Sequence, residues 1–135
     1  MSIGRFMLML SVASLIGGCA ASSRIDNVDQ VVIDRLYFGR NLQPAGVVSD
    51  SAWVVFVQEA VTPKFPRGFT IWRTEGQWGR SDGTIEREPT FVLEIIRKLT
   101  DDKSAPMIDE IRAEYKRMFR QESVLHLVTT GTATF

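Results

Sequence analysis

The sequence predicts an α+β domain with the order β-α-β-β-α-β, the ferredoxin-like split βαβ arrangement. In it, two helices cover one face of a four-stranded antiparallel sheet. Three observations carry this expectation. Residues 31–39 are β-branched and aromatic, residues 53–61 and 108–119 repeat apolar side chains at helical spacing, and residues 91–96 are almost continuously apolar.

The first strand is the run Val31-Val32-Ile33-Asp34-Arg35-Leu36-Tyr37-Phe38-Gly39, after which Pro44-Ala45-Gly46 interrupts regular structure. Ser49 or Asp50 can cap a helix whose Trp53, Phe56, Val57, Ala60 and Val61 form one apolar face. The two prolines of Thr62-Pro63-Lys64-Phe65-Pro66-Arg67-Gly68 end it, because each disfavours helix at the preceding residue. Phe69-Thr70-Ile71-Trp72-Arg73 reads as the second strand and residues 75–83, with three glycines, as a long hairpin loop. Phe91-Val92-Leu93-Glu94-Ile95-Ile96 suits a central strand covered on both faces. A second helix begins near residues 104–106 and buries Ile108, Ile111, Tyr115, Met118 and Phe119, with acids early and cations late, as the helix dipole favours. Residues 123–130 form the last strand.

The chain has 135 residues, 16 basic and 16 acidic side chains, one histidine and one cysteine. This length suits one domain, and a single Cys and His can build neither a disulfide framework nor a structural metal site. Zero formal charge excludes the basic excess that phosphate backbones attract, so no nucleic-acid partner is expected. Phosphate-binding glycine loops, dinucleotide fingerprints, nucleophile elbows and metal-ligand spacings are all missing from the sequence, and no cofactor is expected.

The N-terminal segment points to export. Residues 1–18 hold a lone cation, Arg5, an apolar run at 6–16 and the exit Gly17-Gly18 before Cys19. The run is about half the ~20 residues that a spanning helix requires. Ile16-Gly17-Gly18-Cys19 resembles the lipobox of bacterial lipoproteins, which implies removal of residues 1–18 and acylation of Cys19. Several acyl chains, each contributing about 0.8 kcal/mol per buried methylene, make a stable membrane anchor. Residues 19–29 then form the lipidated Cys and its tether, and residues 30–135 the single domain. With Ala20 and Ala21 following, lipoprotein sorting rules imply the outer membrane, facing the periplasm.

The strings Leu36-Tyr37-Phe38-Gly39, Thr62-Pro63-Lys64-Phe65-Pro66-Arg67-Gly68, Gly76-Gln77-Trp78, Arg87-Glu88, Tyr115-Lys116-Arg117 and Phe119-Arg120-Gln121-Glu122-Ser123-Val124 occur in this order. In combination they resemble a bacterial family of secreted proteins and lipoproteins, "domain of unknown function 3574". The resemblance implies one compact exported domain and carries no catalytic assignment.

Strand alternation offers a first candidate site. If Leu36, Phe38, Phe69, Ile71, Leu93, Ile95, Leu125 and Leu127 face the helices, then Arg35, Tyr37, Trp72, Glu94 and His126 gather on the open face. Such a surface suits a small polar ligand, with the aromatics as stacking platforms, Arg35 as an anion clamp and His126 as acid or base. It equally suits an interface with an unknown protein or a homodimer, since interfaces favour Trp, Tyr and Arg. A one-residue register slip would dissolve the cluster. A second candidate site holds Gln77, Trp78, Arg87, Glu88 and Glu122. There Glu88 and Glu122 could serve as paired acids of a hydrolase acting on a glycan, provided they approach to roughly 5–10 Å. The plainer reading is surface ion pairing, with Trp78 as a lid over the sheet edge. A binding or protein-interaction module and a small periplasmic hydrolase using Glu88, Glu122 or His126 are the two competing functions.

Overall fold

The computed structural model describes residues 28–79 and 82–135. The expected signal peptide, Cys19 and most of the tether lie outside the described residues. The elements are β1 (Asp29–Gly39), α1 (Asp50–Phe56), β2 (Thr70–Gly79), β3 (Ile85–Lys98), α2 (Ser104–Phe119) and β4 (Leu125–Ala133), with one wide π turn (Val57–Val61) continuing α1. The sheet order is β2-β3-β1-β4, with every neighbouring pair antiparallel. This is the split βαβ architecture, with β1 and β3 central.

Both helices lie on one face, and the core between layers is aromatic. Phe38 is fully buried, with its ring centroid 4.7 Å from Tyr115, 5.3 Å from Trp53 and 5.6 Å from Phe56, while Trp53 stacks on Phe91 at 4.3 Å. Tilted and edge-on pairs at these separations match the ring quadrupoles and add to what burial contributes. Among the described residues, every buried core residue lies between Val31 and Val124. The domain therefore folds around a core made of its own residues. Helix ends follow local chemistry. Ser49 Oγ accepts from Ala52 N at the start of α1, and Asp101 accepts from Ser104 Oγ (2.6 Å) and from the Lys103 and Ser104 amides at the start of α2. The Ser104 hydroxyl, foremost, holds the Asp101 carboxyl below its usual range.

The strands run further than the sequence patterns indicate. Residues 75–79, expected in a loop, continue β2, and β3 extends back to Ile85. Pro89 interrupts the sequence signal but not the strand. Its carbonyl still accepts from Arg40 N (3.0 Å), and the Arg40 carbonyl that a residue-89 amide would have met takes Val48 N instead (2.8 Å). The helical stripe at 53–61 is likewise one apolar face, but it is wound as α and then π. There Thr62 N reaches back five residues to the Val57 carbonyl.

One expectation about facing is overturned. Pairing places Leu36 opposite His126, Tyr37 opposite Leu125 and Arg35 opposite Leu127. His126 therefore lies on the helix side, and Leu125 and Leu127 lie on the open face, half exposed. The physical cause is Asp34, fully buried on the helix side, which needs donors. Arg97 Nε binds its Oδ2 at 2.7 Å and His126 Nε2 its Oδ1 at 2.8 Å. A buried carboxylate left unpaired costs far more than exposing two leucines. Arg97 also donates to the Asp101 carbonyl (2.9 Å), so one polar chain ties β4, β1, β3 and the start of α2.

Candidate functional site

The open face presents its side chains in rows set by the register. Trp72, Val92, Tyr37 and Leu125 form one row across β2, β3, β1 and β4. Thr70, Glu94, Arg35 and Leu127 form the next. The structure thus brings Arg35, Tyr37, Trp72 and Glu94 onto one surface and leaves His126 behind the sheet. Arg35 Nε and Glu94 Oε2 pair at 2.7 Å in the middle of this face.

Above these rows, where β1 ends, the face opens into a cleft of about 640 Å³. Its walls include Tyr37 and Gly39 from β1, Trp78 from β2, Glu86, Glu88 and Thr90 from β3, Leu125 from β4, and residues 120–123 of the α2–β4 turn. Both glutamates singled out in the sequence, Glu88 and Glu122, and the aromatic pair Trp78 and Tyr37 line this one space. Gln77 and Arg87 pair with each other, alternate onto the other side of the hairpin and do not line the cleft. Trp78 is a strand residue, not the tip of a loop.

Glu88 is held in place within the cleft. Its Oε1 accepts from Asn41 N (2.9 Å), and its carboxylate lies directly over Gly39, where any Cβ would overlap it. Gly39 is needed for this close approach. Asn41 also donates to Glu86 Oε1 (3.1 Å) and to the Arg87 carbonyl (3.2 Å), and its own carbonyl accepts from Gln121 Nε2 (2.7 Å). Beneath, the Tyr115 hydroxyl donates to the Gly39 carbonyl at 2.8 Å. Burial, with the nearby Glu88 charge second, pushes this phenol well above its ordinary value, so it remains a donor at neutral pH. Gly76 leaves room for the Trp78 indole, whose nitrogen would be 3.4 Å from a Cβ there, and the ring turns back along β2 towards Thr90.

Among the described residues the lining has four carboxylates, Asp82, Glu86, Glu88 and Glu122, and one guanidinium, Arg120, with Asp82 and Glu86 each engaged in further interactions. An acid-rich space with two aromatic walls attracts organic cations, through carboxylate pairing and through ring faces. Among the described residues no group of three or more His, Cys, Asp or Glu side chains is arranged to hold a metal ion. Sequence reasoning missed Gly39 and Asn41, whose roles depend on backbone approach and carry no compositional signal.

Solved structures share the fold. A phage SAM lyase in the apo state aligns with TM-score 0.57 at 14% identity, covering 93% of this chain and 97% of that chain. A phage SAM lyase in complex with S-methyl-5'-thioadenosine aligns with TM-score 0.53 at 16% identity, covering 78% and 90%. No curated protein matches the chain. Residues 33–135 match the family described as "Protein of unknown function (DUF3574)", and the chain belongs to that family.

Proposed function

We propose that this is an exported protein held at the outer membrane by acyl chains on Cys19, and that its domain works in the periplasm as a binding module for a small organic cation. The cleft that joins Glu88, Glu122, Trp78 and Tyr37 carries the binding reading. Its volume lies in the range of ligand sites, and its charge balance favours a cation bearing a flat or apolar part. The lipobox-like string ending at Cys19 supports the anchor.

S-adenosylmethionine, a sulfonium cation, and the neutral S-methyl-5'-thioadenosine are the informative probes, since the solved structures that share the fold are of a SAM lyase, one in complex with S-methyl-5'-thioadenosine, and the two compounds differ in charge. Calorimetric titration of residues 28–135 is expected to show the cation bound more tightly than the neutral compound. Glu88→Gln should weaken the cation by roughly 10- to 100-fold, in line with hydrogen bonds to charged groups. Gly39→Ala should act in the same direction by displacing the carboxylate, while leaving the melting transition in place. Equal affinity for the two probes, or no effect of Glu88→Gln, would overturn the reading.

The competing hydrolase reading draws on the presence of both glutamates in one cleft. It is favoured if chromatography of the titrated mixture, or of a glycan incubated with the domain, reveals product that disappears with Glu122→Gln. The anchor is tested separately. Wild type should sediment with membranes and Cys19→Ser should become soluble after export, and unchanged partition of the variant would exclude lipidation.

A further inference from the structure

The open face carries more exposed apolar surface than a monomer in water needs. Trp72, Ile96, Leu125 and Leu127 are each between 41% and 51% exposed, and they surround the Arg35–Glu94 pair at the centre of the face. A contiguous patch of this kind marks an association surface. We propose that it is the seat of a second copy of this chain, packed open face to open face about a two-fold axis parallel to the strands, and that the partner roofs the cleft.

The charge pattern selects this occupant and this axis. Arg35 and Glu94 stand opposite each other on β1 and β3, one on each side of the line that divides the sheet. A two-fold along that line sets each Arg35 over the partner's Glu94, whereas a two-fold across the strands would set Arg35 over Arg35. The first arrangement makes the face self-complementary, as an isologous interface requires. It also sets Trp72 over the partner's Leu125, and Val92 over the partner's Tyr37. Four strands about 4.8 Å apart and roughly 33 Å long offer about 600 Å² per copy, or about 1,200 Å² in the pair, enough for a specific interface.

The consequence for function follows from the lining. Tyr37 and Leu125 form the wall by which the cleft opens onto the sheet. In the dimer the partner's Trp72 covers that wall, so the site is complete only in the pair. This part of the inference rests on the cleft being a ligand site.

Sedimentation equilibrium of residues 28–135 is expected to show a monomer–dimer equilibrium with the dimer dominant at high micromolar concentration. Leu127→Glu should weaken association at least tenfold. Arg35→Glu should do the same, and the exchange Arg35→Glu with Glu94→Arg should restore it, because both pairings return with their signs reversed. Circular dichroism melts verify that each variant folds. A domain that stays monomeric throughout, or a dimer indifferent to Leu127→Glu and to the exchange, overturns the proposal. Cation binding by the wild-type monomer at undiminished affinity overturns the roofing alone, whereas a dimer that binds no cation sinks the ligand reading and leaves the interface standing.

Discussion

Replacing Asp34 by alanine is expected to destabilise the domain by about 3–5 kcal/mol, the cost of breaking a buried ion pair by removing one partner. Asp34 is fully buried, and its two carboxylate oxygens satisfy Arg97 from β3 and His126 from β4. The Arg97 side chain, itself largely buried, would be left with a charge and only the Asp101 carbonyl to meet it. Urea unfolding followed by circular dichroism should show the midpoint falling with an unchanged slope, since the surface exposed on unfolding is nearly the same. Asp34→Asn keeps an acceptor and the shape, so its loss should be smaller. If Asp34→Ala unfolded at the wild-type midpoint, the cluster would have no structural role, and His126 would need another explanation for facing inwards.

Phe38→Ala is the second large effect, also expected at about 3–5 kcal/mol, the range for deleting a buried ring whose neighbours cannot collapse into the space. The ring touches Trp53, Phe56 and Tyr115 at once, and these belong to two helices that lie side by side on one face of the sheet. No one neighbour can fill the void without leaving another. Because Tyr115 also holds the Gly39 carbonyl under the Glu88 carboxylate, the same variant should loosen the cleft floor. Binding should therefore weaken even under conditions where the variant remains folded. Wild-type stability in Phe38→Ala would mean that the aromatic cluster repacks, contrary to its dense geometry.

The architecture was legible because burial in this chain is periodic. Leu36 and Phe38 alternate onto the core. Ile108, Ile111 and Tyr115 recur at helical spacing, and all five are fully buried. Register on β4 was not legible for a related reason. Leucines at 125 and 127 look like the buried set of an alternating strand, but β4 is an edge. Its face was decided by one carboxylate 92 residues away, which demanded His126. The extents of β2 and β3 were hidden by Gly76, Gly79 and Pro89, residues that punctuate loops in most sequences. Here the first admits an indole, and the missing amide of the last falls where Arg40 has another partner. The cleft was half legible. Trp78, Glu88 and Glu122 stood out as chemistry-bearing side chains, but their meeting depends on the β1–β3 register and on the bare α-carbon of Gly39.

The position of β4 has one more consequence, for how the chain behaves when it is not yet folded. Among the described residues β4 pairs with β1 alone, and residues 125–134 contain no carboxylate, ammonium, guanidinium or proline. Such a segment has the composition of a self-templating strand, without the charged gatekeepers that usually blunt an edge. Its ladder with β1 occupies one side of the strand, and the His126–Asp34 bond pins it from behind. A chain that loses that pin frees the second side of the segment as well, and is expected to aggregate more readily while unfolded.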